Sequence, residues 1–155
     1  MSVIQAEKAM QIEKSVVLRA SRSRVWRALT DSAEFGAWFG ADFTGPFLAG
    51  AEARGKITTK GYEHLPIEIV TERVEPERLF SFRWPHNPEG GDLALAKWTL
   101  VVFELTTEDG GTRLSVTETG FEALPEQQRM SAVEGNSEGW AIQMTQIAAY
   151  LDGHP

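Results

Sequence analysis

Between Ile12 and Ala20 (IEKSVVLRA), β-branched residues crowd a short run that stops at Ser21, the pattern of a strand leading into a helix cap. From Ser21 to Thr30 (SRSRVWRALT), Val25, Trp26 and Leu29 recur at helical spacing, and Ser21 or Ser23 can accept from the free first-turn amides. A second short helix is expected over Ser32 to Phe39, with Phe35, Trp38 and Phe39 on one side and Gly40 to stop it. From Ala41 to about Phe121 the pattern changes to strand-length pieces parted by Gly, Pro and acidic turns: ADFTGPF, GAEARGKITT, PIEIVTERV, RLFSFRW, KWTLVVFELTT and TRLSVTETGF. With the first run they make about seven strands, and their short connections favour antiparallel neighbours.

The clearest hairpin runs from Lys97 to Phe121 and turns at Glu108-Asp109-Gly110-Gly111, where glycines take positive φ without strain. If Thr107 pairs with Thr112, then Leu105 faces Leu114, Phe103 faces Val116 and Val101 faces Glu118, which aims a carboxylate at an otherwise apolar face. A different register turns Trp98, Leu100 and Val102 inward instead, and the pattern leaves both faces of strand 97–105 open. The last third reads as helical. Pro125 opens a polar first part, Gly135-Asn136 marks a break or a new cap, and Trp140, Met144, Ile147 and Leu151 form an apolar stripe. Gln143 and Gln146 fall on its polar face, and Gly153 is placed to end it.

This order makes an α+β fold: a curved antiparallel sheet of about seven strands wrapped around a long C-terminal helix, with two short helices after the first strand. One helix about 10–12 Å across cannot fill the concave side of such a sheet, so a pocket on the order of a few hundred Å³ is expected between them. Five tryptophans and eight phenylalanines supply large apolar walls, and Gly50, Gly55 and Gly61 allow bends or bulges.

The 155 residues suit one domain, read here as a single unit over 12–153 after an N-terminal extension over 1–11. Fifteen basic against 22 acidic residues leave a net charge of −7, which argues against a nucleic-acid partner because phosphate backbones need clustered cations. The absence of cysteine excludes disulfides, thiolate nucleophiles and Cys-containing zinc sites. Glu7 and Lys8 interrupt the region where a signal peptide would be apolar, and charges break every stretch of membrane-spanning length. A cytoplasmic protein with no membrane association is expected.

Several stretches carry a family resemblance: Val25-Trp26-Arg27-Ala28-Leu29-Thr30-Asp31 with Trp38-Phe39; Val74-Glu75-Pro76-Glu77-Arg78-Leu79 leading to Phe82-Arg83-Trp84; Val102-Phe103-Glu104-Leu105 with Gly111-Thr112-Arg113-Leu114; Gly120-Phe121; and Gly139-Trp140. With the order of elements they resemble the helix-grip fold of the START-like, or SRPBCC, superfamily. Within it they are similar to bacterial proteins that resemble the C-terminal domain of the Aha-type activator of the heat-shock-protein-90 ATPase. The resemblance spans about Ile12 to Leu151. It implies the fold and a cavity, without specifying a reaction.

Among candidate functional residues Glu118 stands first, as a ligand anchor or a general acid/base, or else as the partner of an arginine or a rim water. Glu68 alternates against Ile67 and Ile69 and is expected on the solvent face. His64 and His86 are possible bases by their near-neutral titration, but both sit beside prolines or turns. No HxH, HExxH or GxSxG spacing occurs, and Gly110-Gly111 lacks the Lys-Ser/Thr of a phosphate cradle, so neither metal nor cofactor is expected. The ligand walls are read as Trp38, Phe39, Phe43, Phe47, Phe82, Trp84 and Trp140, joined by Val101, Phe103, Val116, Met144 and Ile147, with Arg83 or Glu118 for a polar end. If Trp98, Leu100 and Val102 face outward, they form a patch suited to a homodimer.

Three functions compete: binding of a small hydrophobic or amphipathic molecule, a cyclase or dehydratase acting on a bound carbonyl compound, and a co-chaperone, the last implied only by the resemblance. The first ranks highest because no base with an orienting partner is visible.

Overall fold

A computed structural model describes residues 10–86 and 96–155, so the extension expected over 1–11 lies outside the described residues except for Met10 and Gln11. Strand β1 (Ile12–Leu18) is followed by helices α1 (Arg22–Thr30) and α2 (Ser32–Phe39). Six strands come next: β2 (Ala41–Phe43), β3 (Glu52–Ile57), β4 (Pro66–Glu75), β5 (Leu79–His86), β6 (Lys97–Glu108) and β7 (Gly111–Thr119). A 3₁₀ turn at Phe121–Ala123 leads into helix α3 (Glu126–Gly153). The strands form one sheet in the order β1-β7-β6-β5-β4-β3-β2, with every pairing antiparallel.

Local chemistry sets the two short helices. The Ser21 hydroxyl accepts from the Arg24 amide at 3.2 Å, and the Asp31 carboxylate accepts from the Ala33 and Glu34 amides at 3.0 Å each. Gly40, at φ 95°, ends α2 in the left-handed conformation that glycine adopts without penalty. The pieces expected as strands form the seven observed.

The β6–β7 register is the one set by pairing Thr107 with Thr112, so Val101 lies opposite Glu118 and Phe103 opposite Val116. Val101, Phe103, Leu105, Leu114, Val116 and Glu118 are accordingly buried beneath α3, while Trp98, Leu100 and Val102 face the convex side, half-buried. Curvature has visible sources. A bulge shifts the β4–β5 register between Thr71 and Arg73. At Gly55 the backbones of β2 and β3 approach so closely that a Cβ would lie 2.2 Å from the Asp42 carbonyl oxygen.

One expectation fails. No break or cap occurs at Gly135-Asn136, and α3 runs unbroken for 28 residues. Its first half is docked by the buried side chains of Ala132 and Val133 as well as by Asn136 itself, and this packing outweighs the roughly 1 kcal/mol helix penalty of each glycine.

The core is a continuous aromatic and aliphatic layer. Trp140, Met144, Ile147 and Leu151 of α3 press on the concave face, where Phe103 meets Trp140 edge-on at 5.6 Å. Phe35 of α2 plugs one end, with its ring within 4.8–6.2 Å of those of Trp38, Phe39, Phe43, Phe47 and Phe82. Among the described residues no helix is long and apolar enough to cross a membrane.

Phe103 is fully buried among Phe80, Phe82 and Trp140. Replacing it with alanine is expected to cost about 3–5 kcal/mol, measurable as a fall in the urea midpoint with the slope unchanged.

Candidate functional site

Glu118 is fully enclosed and receives hydrogen bonds from four side chains on three elements. On one oxygen, Oε2, converge the Trp84 indole N–H (2.9 Å) and the Thr99 hydroxyl (2.6 Å); the other, Oε1, accepts from the Trp140 indole N–H (2.9 Å). The Asn136 carboxamide nitrogen lies 3.2 Å from both oxygens. Strand register produces half of this cage, since Trp84 on β5 pairs with Thr99 on β6 and Glu118 on β7 lies two residues along from Thr99. The helix supplies the rest, because Asn136 and Trp140 are one turn apart on one face.

Indole N–H groups only donate and a carboxylate only accepts, so donors match acceptor sites without a basic residue. No lysine or arginine pairs with Glu118 among the described residues. With its lone pairs occupied, Glu118 can take a proton from a substrate only by releasing one of its donors. The cage therefore leaves Glu118 without the free lone pair that a working base needs.

His86, at the end of β5, is half-buried, and burial pushes its imidazole below the usual value while the charge of Glu118 acts in the opposite direction. His64 is exposed in a turn. Glu68 does point away from Ile69, but it is buried rather than solvated. It sits among Glu52, Arg54, Lys56 and Trp98 on the convex face, which shields it from water. Its carboxyl is held above the usual range by burial, then by a hydrogen bond to Glu52 and that residue's charge, against the opposing charge of Arg54.

Arg83 does not join the interior site. It is paired with Leu100 across the convex face, where its guanidinium binds Glu72 at 2.7 Å, because strand alternation sends it opposite to Phe82 and Trp84. Among the described residues no three His, Asp or Glu side chains gather as metal ligands would.

Among the described residues, apolar side chains occupy much of the space expected under α3. Phe43, Phe47, Phe82, Phe103, Val101, Val116, Met144 and Ile147 pack into the core or against it, and Trp38 spends its indole N–H on the Ala28 carbonyl at 2.8 Å. Among the described residues a crevice of about 130 Å³ is open, lined by Phe39, Trp84, Gly135, Asn136, Gly139, Trp140 and Gln143. Thus Phe39, Trp84 and Trp140 meet at the crevice, with Glu118 one side chain behind its wall. Among the described residues two larger grooves, about 570 and 550 Å³, lie elsewhere: one on the convex face by Glu68, the other between the start of α1 and the C-terminal residues. Both are rimmed by charged side chains.

Gly135 and Gly139 line the crevice, and a Cβ at either position would find no neighbouring atom within 4 Å. Gln143 is not a plain surface residue. Its amide nitrogen donates to the Phe39 carbonyl at 2.9 Å, and its Oε1 is buried with no partner among the described residues. Such an orphaned acceptor costs about 1–3 kcal/mol. Thr99, Gly135, Asn136, Gly139 and Gln143 were not among the residues expected at the site; the one legible signal was the spacing of two glycines by a helical turn.

Glu118→Ala strands several buried donors, each worth about 1–3 kcal/mol, so a loss of at least about 3 kcal/mol is expected in urea unfolding, with Glu118→Gln intermediate. The His86 shift has a definite sign: the unfolded chain binds the proton more tightly, so stability is present above the ordinary imidazole value of about 6.5 and falls as pH drops toward the lower folded value. In His86→Gln that component of the pH–stability curve should vanish.

Among solved structures, a protein from Arthrobacter aurescens aligns over 94% of this chain and 88% of its own, with a TM-score of 0.79 and 21% identity. DynU16, from the dynemicin biosynthetic locus, has 25% identity and a TM-score of 0.71; 92% of this chain is covered but only 47% of DynU16, so the present chain spans about half that protein's length. The Aha1 dimer from Colwellia psychrerythraea aligns over 89% of this chain and 92% of its own, with a TM-score of 0.64 and 19% identity. Comparison with curated proteins gives no match. Residues 19–152 match the family described as Activator of Hsp90 ATPase homolog 1-like protein. With the long helix gripped by the seven-stranded sheet, that match establishes that the chain belongs to the Activator of Hsp90 ATPase homolog 1-like family, of the START-like, helix-grip kind.

Proposed function

We propose that this chain binds a small hydrophobic or amphipathic molecule in the crevice between α3 and the sheet. The observation that carries the reading is the crevice itself, where α3 presents Gly135 and Gly139 beside Phe39, Trp84 and Trp140 and about 130 Å³ stays unfilled. Each glycine holds a mid-helix position where alanine is favoured by about 1 kcal/mol. At about 130 Å³ the crevice is close to the cavity of about 150 Å³ that takes up benzene in an engineered protein, so the part of the ligand that enters is about one ring in size. The origin of DynU16 in a biosynthetic locus agrees with a small organic ligand.

A cyclase or dehydratase reading needs a carboxylate free to exchange protons, and Glu118 is already engaged by four donors. The co-chaperone reading rests on the family's description alone.

The test pairs ligand-dependent melting with a variant that fills the space. Compact apolar ligands are expected to raise the Tm of the wild type in a concentration-dependent way and to change its tryptophan emission. Gly139→Leu should fold with equal or greater stability, through about 1 kcal/mol of helix propensity, yet lose both responses. Absence of any response from the wild type across a panel of single-ring ligands overturns the proposal.

A further inference from the structure

The groove of about 550 Å³ at the start of α1 shares no lining residue with the crevice. Three arginines, Arg19, Arg24 and Arg27, and two serines, Ser21 and Ser23, line it, and no acidic side chain does. The sequence concentrates positive charge at this place. Between Glu13 and Asp31 no acidic residue occurs, while Lys14, Arg19, Arg22, Arg24 and Arg27 do, in a chain of net charge −7. Helix stability does not account for that placement. Arg22 and Arg24 stand in the first turn of α1, where the positive end of the helix dipole disfavours cations, and that turn holds no acidic residue. One carboxylate, Glu34, serves both Arg24 (2.7 Å) and Arg27 (2.8 Å), and Arg19 and Arg22 have no ion-pair partner among the described residues. Four guanidiniums thus face a single bonded carboxylate.

A second observation is independent of the helix end. The Arg24 side chain lines the groove but is only 10% exposed; its Nε donates to the His154 carbonyl at 2.8 Å and its Nη2 to Glu34, while Nη1 has no partner among the described residues. A guanidinium stays charged at every working pH, so Arg24 acts on the groove through its field and needs no contact with the enclosed Nη1. Donors that an anion can touch stand around it. Arg19 is exposed, Arg27 gives Glu34 only its Nε–H, and the exposed Ser23 hydroxyl meets only Ser21 Oγ at 3.2 Å. The Arg24 amide is taken by Ser21, whereas the amides of Arg22 and Ser23 have no acceptor among the described residues.

We infer that this groove binds a phosphomonoester dianion, its phosphoryl oxygens held by Arg19, Arg27 and the Ser23 hydroxyl at the start of α1, in the field of Arg24. The planar fork of a guanidinium fits two phosphoryl oxygens at once, and a tetrahedral dianion uses more of these charges and donors than a single carboxylate can. The groove is larger than a phosphoryl group, and Leu151 and Pro155 give the organic remainder a short apolar wall. This site is separate from the crevice and stands or falls without it.

Glycerol 3-phosphate, inorganic phosphate and acetate, titrated into the full chain at about pH 7.5 and constant ionic strength, test the assignment through the amide NMR shifts of residues 19–27. Glycerol 3-phosphate is expected to move these amides with a Kd about tenfold or more below that of acetate, and to weaken as salt is raised. Arg19→Gln and Arg27→Gln each remove an exposed guanidinium and should raise that Kd about tenfold. Arg54→Gln, which removes the same charge from the convex face, and Gly139→Leu, which fills the crevice, should leave it unchanged. Equal binding of acetate and glycerol 3-phosphate overturns the assignment, as does equal weakening by Arg54→Gln. Binding of inorganic phosphate without glycerol 3-phosphate marks an adventitious ion only and overturns it too, and so does the absence of any shift over residues 19–27.

Discussion

A carboxylate removed from water must have its lone pairs filled, and at Glu118 that requirement ties the sheet to the helix. Trp84 on β5 and Thr99 on β6 reach it from one side, and Asn136 and Trp140 on α3 reach it from the other. Apolar packing alone would let α3 slide or roll over the concave face at small cost, because hydrophobic contacts have little directionality. Hydrogen bonds to one buried acceptor do not permit that freedom. They hold the helix so that Asn136 and Trp140 face the sheet, and the same rotation turns Gly135, Gly139 and Gln143 toward Phe39 and Trp84.

How much space remains is decided by aromatic volume. The two short helices contribute more than connection: Phe35 meets five other rings and closes the end of the concavity that α3 alone would leave open. Among the described residues the concave side is therefore largely occupied by side chains, and the crevice lies where α3 presents Gly135 and Gly139 beside Phe39 and Trp84. Site and scaffold use the same residues. Trp84 and Trp140 stack at 5.5 Å, line the crevice and hold Glu118 with their N–H groups. A change at either indole consequently alters core packing, charge solvation and crevice shape together.

Much of the architecture was legible because short-range rules governed it. Asp109-Gly110 in the β6–β7 turn, where Asp109 at φ 49° and Gly110 at φ 78° both take the left-handed region, set a register that sent Glu118 inward along with Val101, Phe103 and Val116. Apolar spacing in α3 identified Trp140, Met144, Ile147 and Leu151 as its buried stripe. Where reading residue by residue failed, a distant neighbour was responsible. Gly135-Asn136 looks like a helix boundary, since both residues favour ends; what keeps the helix running is its dock on the sheet and a carboxylate 18 positions earlier in the chain. Arg83 has the chemistry of an anchor, yet strand alternation gives it to Glu72 on the opposite face. Glu68 follows the alternation but is sheltered by side chains of neighbouring strands.

The sequence by itself determined the order of the elements and the antiparallel hairpin, because periodicity, caps and turns act over a few residues; it offered the inward carboxylate as one of two registers, and the helix-grip class came from the resemblance of its motifs and element order to a known family. Only the tertiary structure decided which donors surround Glu118, how far rings occupy the concave side among the described residues, and that a small crevice lies beside Gly135, Gly139 and Gln143. Those outcomes depend on volumes and hydrogen bonds between residues as far apart as Phe39 and Gln143, which no local pattern encodes.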